Sequence, residues 1–299
     1  MDLSLEFFLR LDLPYALCRV DVVEPESVNA YRRWIDSGRH GSMEYLARYD
    51  EVRANPALLL EGARSMILVA FPYRTEGELP LPIALYARGR DYHEVVREQL
   101  RALAAQIPGE TRVCVDTAPL RERYWAVRAG LGRIGRNNQL FVPGYGSYCF
   151  IGTILTTAEL PEHRPFDFGS NDLCGDCERC VRACPGGCIL PSGEGIDARK
   201  CISYLTIEHR GEFEAGTRLP ALYGCDVCQR VCPLNRDVAV SPIEEFRPTD
   251  RLMELTADDV AAMTPEEFSA VFRHSAIKRT KLAGLQRNLR YWNQNDGRK

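Results

Sequence analysis

CGDCERCVRACPGGC occupies residues 174–188, and YGCDVCQRVCPLN follows at 223–235. In the first run Cys174, Cys177, Cys180 and Cys184 stand at CxxCxxCxxxCP spacing; in the second, Cys225, Cys228 and Cys232 again lead into a proline, Pro233. A cubane iron–sulfur cluster needs four thiolates converging on one small volume, and a tight CxxCxxC turn supplies three of them from adjacent backbone. The fourth has to come from elsewhere in the chain.

Where two such runs pair, the cysteine before each proline ligates the other cluster. That assigns Cys174, Cys177, Cys180 and Cys232 to one centre. Cys184, Cys225 and Cys228 are then one ligand short, and Cys201, between the runs in DARKCISYL, takes the open place. Structural zinc also uses CxxC pairs, but it favours two pairs or mixtures with histidine. A disulfide framework belongs to an exported chain. Two 4Fe-4S clusters are therefore expected. Cys188, Cys18, Cys114 and Cys149 are left over and read as small buried apolar side chains.

The 299 residues leave room for two domains or for one large domain with an insertion. An apolar fraction of 45% and a charged fraction of 26% fit a soluble globular chain and exclude a disordered one. The longest apolar run, MILVAF at 66–71, is far too short to span a bilayer. MDLSLEFFLRLDLP at the N-terminus carries acids among its apolar residues and lacks the basic start of a secretory leader. Twelve cysteines without such a leader point to a reducing cytoplasm and to metal ligation. Charge is uneven: from Arg273 to Lys299 eight Lys or Arg stand against one acid, Asp296. Such a segment is either a solvated helix face or a contact surface for phosphates, which Lys and Arg bind with release of counterions.

Upstream of the cysteines, elements of both kinds alternate. Residues 27–49 predict two helices broken at Gly38 and Gly41, and RSMILVAFPY at 64–73 a buried strand. DYHEVVREQLRALAAQI at 91–107 has helical spacing and stops before Pro108 and Gly109; TRVCVD at 111–116 alternates into another strand. Asp116 ends that strand, with Thr117 placed to cap the next helix and Pro119 in its first turn. A carboxylate there either helps the cap or is aimed into a cleft above the sheet. GLGRIG at 130–135 matches GxGxxG formally, but a helix precedes it and a strand follows, the reverse of a dinucleotide site. Gly130 instead reads as a helix end. NQLFV, the PGYG turn and SYCFIGTILTT predict a β-hairpin.

VDTAPLRERYWAVRAGLGRIGRNNQLFV at 115–142, with YARGRDYHEVVREQL upstream, the cysteine runs, and HSAIKRTKLAGLQRN near the end, resembles the epoxyqueuosine reductases. The likeness extends from about Gly38 to Asn295. It implies an α+β fold: a nitroreductase-like cobalamin-binding domain over 1–165, a ferredoxin-like domain with two 4Fe-4S clusters over 166–245, and a helical segment over 246–299. It implies a cytoplasmic, monomeric enzyme that reduces epoxyqueuosine at the tRNA wobble position to queuosine. That is the last step of queuosine biosynthesis, with electrons from a donor still to be identified. By the resemblance Asp116 is the proton donor, and burial beside a corrin would raise its pKa. Arg53, Tyr86, Asp116, Gly135, Asn137 and Asn138 match cobalamin-contacting segments. Lys278, Arg279, Lys281, Arg287 and Arg290 are the residues expected to face tRNA, because the chain is expected to lack the HEAT-like repeats of longer members. Two other classes share the parts: reductive dehalogenases, which usually carry a twin-arginine signal, and plain two-cluster electron carriers, which need no large domain ahead of the cysteines.

Overall fold

The computed structural model describes residues 12–168, 172–191 and 195–293; residues 1–11, read above as leader-free, and 294–299 of the basic segment lie outside them. The SMILVAFP run forms strand β2, Ser65–Pro72, and all eight of its residues are buried. It lies between β1, Tyr15–Arg19, and β6, Cys149–Thr156, with β3, Thr111–Val115, on the far side of β6. Every pairing is antiparallel, with Val69 opposite Tyr15 and Gly152. Strand alternation sends Ile67, Val69 and Phe71 to one face and Met66, Leu68 and Ala70 to the other, and each face has its own core. A strand covered on both sides reads as a continuous apolar run, which is why no polar residue interrupts it.

One face is covered by helix α2, Tyr92–Ala104, through Val95, Val96, Leu100 and Leu103. The Asp91 side chain caps it by accepting the His93 backbone N–H at 3.0 Å. The other face is covered by helix α3, Glu122–Arg128, whose Trp125 and Ala126 are fully buried. Helix α3 closes on Gly130 at φ +78°, where the Leu131 N–H bonds the Ala126 carbonyl at 2.8 Å. Toward the C-terminus, short helices over 250–272 and helix α6, Lys281–Asn293, bury Leu252, Val260, Phe272, Ile277 and Leu285. That core also takes in Leu81, Ile83 and Ala87, so it is shared with the first of the three expected domains. Between these regions lie α4, Ile202–Ile207, and, within the C-terminal set, α5, Pro265–Phe272.

Three local expectations give way. Helix α1, Pro25–Asp36, forms, but after Gly38 and Gly41 the chain makes only a turn at Glu44–Leu46 and a short helix at Asp50–Ala54. The Tyr204 ring lies 2.6 Å from where a Gly41 side chain would start, so packing from a distant helix shapes this stretch. Thr117 does not cap α3, which begins five residues later; Asp116 at φ +52° turns the chain away, and the Thr117 hydroxyl donates to the Val115 carbonyl at 3.2 Å. The predicted hairpin is replaced by another. β5, Leu140–Phe141, pairs back with β4, Arg133–Ile134, while β6 is claimed along its length by β2 and β3.

Helix α2 reaches the sheet at Gly152, where an added Cβ would meet Leu100 at 2.6 Å, Val96 at 2.8 Å and Phe71 at 2.9 Å. Overpacking of this kind costs about 1–3 kcal/mol. Gly152→Val should therefore lower the unfolding free energy by about 1–3 kcal/mol, read as a lower denaturation midpoint, and an unchanged midpoint would show that the helix can withdraw.

A candidate active site beside a cluster cradle

Asp116 stands at the end of β3 in the left-handed region, which Asp tolerates better than most residues. Its backbone N–H donates to Glu122 Oε1 at 2.7 Å, so the first residue of α3 fixes the turn. Its side chain receives the Tyr92 hydroxyl on Oδ2 at 2.9 Å and faces His93 Nε2 at 3.1 Å. The other ring nitrogen, Nδ1, lies 2.8 Å from Asp91 Oδ1. Asp91 is 4% exposed and its second oxygen holds Lys278 Nζ at 2.9 Å. Tyr92 stacks between the His93 ring, at 4.0 Å, and Phe150, at 4.1 Å, which fixes both partners of the carboxylate.

Solvent reaches 58% of the Asp116 side chain, yet desolvation by the surrounding protein is the largest influence on its titration. Both hold together for a group on the floor of a recess. Burial pushes the Asp116 pKa up, but the hydrogen bond and charge of His93 and the Tyr92 hydroxyl prevail, and the net direction is down. Among the chain's own groups the imidazole outweighs desolvation; the expected rise beside a corrin concerns the cofactor-bound site. Burial would lower His93, but its bonds to Asp116 and Asp91 carry it up to about 9. Burial also opposes ionisation of Asp91, and bonds from His93 and Lys278 bring it below the usual carboxylate range. Glu122, desolvated and facing Asp116, is raised to about 8. At neutral pH the site thus holds two carboxylates, an imidazolium between them and a neutral carboxylic acid alongside.

The turn 133–138 joins this recess to the cysteines. The Asn138 carbonyl accepts from Arg123, whose charge acts on Asp116 and Glu122. Two residues back, the Arg136 backbone N–H points at Cys174 Sγ at 3.3 Å and its guanidinium donates to the Gly175 carbonyl at 2.9 Å. Asn137, 4% exposed, turns toward the Cys228 carbonyl at 3.5 Å. Gly135 is needed because a Cβ would lie 2.5 Å from the Phe141 ring. Asn138 itself is left-handed, at φ +60°.

None of the twelve cysteines is joined to another in a disulfide. Cys180 has Cys174 and Cys232 as neighbours, and Cys225 has Cys201 and Cys184, while Cys228 also neighbours Cys180; among the described residues no three such side chains are grouped closely enough to hold a metal ion. Cys201 reaches its neighbours because the backbone at Lys200 crosses directly over Gly186, where any Cβ would collide with the Lys200 carbonyl. Thiolates at this spacing, with backbone N–H groups aimed at sulfur, fit 4Fe-4S clusters. Cys188 is buried as expected, and its Sγ lies 3.3 Å from that of Cys184. Cys114 is buried, and Cys18 and Cys149 are half-buried against the same core.

The remaining expected residues are scattered. Arg53 is buried and donates to the Tyr45 and Arg48 carbonyls at 3.1 and 3.2 Å, holding the turn that carries Tyr45. Tyr86 packs against Tyr73, Tyr223 and Gly224, behind Cys225. Arg287 is no phosphate contact: it is 3% exposed and donates to the carbonyls of Leu205, His209 and Gly211, which the end of α4 leaves unpaired. Lys278 is committed to Asp91, Arg279 pairs with Glu208 over the Tyr45 ring, and Arg290 pairs with Glu212. Lys281 is exposed. Sequence reasoning overlooked Tyr92, His93, Asp91 and Glu122. The available signal was Asp-Tyr-His at a helix start, where the capping acid also reaches the histidine.

Cys201→Ser should halve the iron content, by about one 4Fe-4S cluster, while Cys188→Ser should retain both; full iron in the first would sink the assignment. Glu122 gives a second test. Its raised pKa means that stability is present below the ordinary carboxylate value and is lost as pH rises toward about 8. Glu122→Gln should therefore gain in melting temperature relative to wild type between pH 5.5 and pH 8, and a constant difference would place the proton elsewhere.

Residues 173–235 match the family model described as a 4Fe-4S double cluster binding domain, and residues 53–117 the one described as epoxyqueuosine reductase QueG, DUF1730. The epoxyqueuosine reductase of Leadbetterella byssophila is 36% identical over 294 residues, covering 94% of this chain and 94% of that protein. That of Cyclobacterium marinum is 39% identical over 280 residues, covering 89% and 88%. A solved epoxyqueuosine reductase with an epoxyqueuosine-modified tRNA-Tyr stem loop has a TM-score of 0.84 at 28% identity, covering 95% of this chain and 78% of that chain. The one from Streptococcus thermophilus has 0.83 at 28% identity, covering 97% and 80%. With over a third of its residues identical across nearly its whole length, the chain belongs to the epoxyqueuosine reductase family.

Proposed function

We propose that the chain reduces the epoxide of epoxyqueuosine in tRNA to the alkene of queuosine, with Asp116 as the group that protonates the departing oxygen. The balance is two electrons and two protons in, one water out. The observation that carries this reading is the Asp116 carboxylate itself, open to solvent in a recess and joined through the turn 133–138 to the cluster cysteines. The sequence resemblance adds cobalamin, and the solvent-open Asp116 side chain, with the Tyr92–His93 pair bonded to it and the Tyr45 ring near enough to feel its charge, offers the polar and aromatic groups that would hold such a cofactor. When bound, cobalamin would supply the low-potential metal chemistry at carbon, and the two 4Fe-4S clusters the single electrons.

The chain's own residues do the rest. Tyr92 and His93 hold Asp116 so that one oxygen stays on the protein and the other faces the recess. A carboxyl group suits this task, because opening an epoxide leaves an alkoxide that must be protonated as it forms. The tRNA backbone is met by the exposed Lys281 and by Arg279 and Arg290 on the rim, while Arg287 holds the scaffold. The enzyme works as a cytoplasmic monomer, fed by a separate electron donor.

Anaerobic incubation of the reconstituted protein with epoxyqueuosine-containing tRNA and a reductant, followed by nucleoside mass spectrometry, tests this. Loss of one oxygen from the modified base only when cobalamin is present is the expected result. Asp116→Asn should slow the conversion by about 100-fold or more with clusters and tRNA affinity intact. Full turnover in that variant would overturn the assignment.

A further inference from the structure

Helix α2 delivers His93 into the space between two carboxylates, one buried and one open. Asp91 holds Nδ1 at 2.8 Å and is itself anchored by Lys278 at 2.9 Å and by its backbone N–H on the His274 carbonyl at 2.6 Å. Asp116 takes Nε2 at 3.1 Å on the oxygen that also receives the Tyr92 hydroxyl. The stacked Tyr92 ring prevents the imidazole from rotating away from either partner. A helix cap alone requires only the Asp91 oxygen on the His93 backbone N–H. The second contact, to Asp116, serves nothing in the helix.

We infer that His93 is a positioning residue that stores the proton Asp116 delivers, and that Asp91 and Lys278 are there to keep the ring in that role. The inference rests on the reading of Asp116 as proton donor. The step balances: as negative charge develops on the substrate oxygen, the Asp116 carboxylate takes the Nε2–H of the imidazolium and gives a proton to that oxygen, so that Asp116 is a carboxylate before and after. The ring becomes neutral, and bulk water returns its proton. No electron moves.

Every charged group facing the ring fits the role. From the helix start and the strand end come Asp91 and Asp116, which together hold it protonated up to about 9. From α3, Glu122 is neutral near pH 7 and Arg123 acts on the carboxylates. From the segment ahead of α6 come Lys278, bound to Asp91, and His274, bound to Glu94 at 3.0 Å. An ionised Asp116 cannot itself donate, so its neighbour must carry the proton at neutral pH.

The test has two arms on the cluster-loaded protein. In wild type, ¹⁵N NMR of the His93 ring should give a titration near about 9, moving toward the ordinary value of about 6.5 in Asp116→Asn. An ordinary midpoint in wild type would overturn the inference without any variant. In single turnover with cobalamin and epoxyqueuosine tRNA, the wild-type rate should fall tenfold per pH unit above about 9. His93→Gln keeps an N–H toward Asp116 but cannot ionise. It should be slower by about 100-fold and flat with pH, with tRNA affinity unchanged. A wild-type profile in His93→Gln alongside an inactive Asp116→Asn would remove the relay and leave the proposed function standing. Activity in Asp116→Asn would remove both.

Discussion

The buried carboxylate of Asp91 is the constraint on which the arrangement of the recess depends. A charged group at 4% exposure persists only when its oxygens are matched by donors, and here three donors come from two parts of the chain. It caps α2, clamps the His93 ring and binds Lys278 from the C-terminal segment. Removing any partner leaves a charge without compensation, a penalty that typically exceeds what the intact pair contributes. The C-terminal segment is therefore joined to the catalytic face by an ion pair in addition to its apolar core.

Close backbone approach does comparable work on the cluster side. The Lys200 carbonyl passes over Gly186 and so brings Cys201 to the thiols of the other run. The turn 133–138 meets Cys174 through a backbone N–H and Asp116 through Arg123, which spans the distance between redox and proton chemistry with few side chains. Hydrogen bonds to cluster sulfurs are one of the means by which a protein sets reduction potential. Cys188, 3.3 Å from Cys184, sits in the same shell.

How much of this can be read from residues alone follows from range. The double-cluster domain was legible because Cys174, Cys177 and Cys180 lie within seven residues of one another and Cys225 and Cys228 within four, so that the spacing is itself much of the geometry. β2 and α2 were legible because burial on two faces and on one face leave different periods. The hairpin was misread because β5 and β6 both have strand character, and the competition for partners was decided by β2 and β3, far away in sequence. Arg287 was misread for a related reason. A basic run looks solvated until one knows that the face of α6 carrying Leu285 and Leu289 packs on the unpaired carbonyls ending α4. Asp116 stood out through the family resemblance, whereas His93 was hidden, because a histidine at a helix start has a sufficient local role.

The electrostatics of the recess follow from putting both carboxylates on one imidazole. Desolvation pushes Asp116 up, but the His93 ring, the Tyr92 hydroxyl and the Arg123 charge bring it down, and the proton is held on nitrogen. That exchange has a consequence for timing. An acid protonated at rest could lose its proton to any base that entered, whereas in the relay inferred above an imidazolium held between two anions would release its proton through Asp116 only as an oxyanion develops. The left-handed backbone at Asp116, held by Glu122 rather than by a helix cap, keeps the carboxylate at the strand end beside the His93 ring.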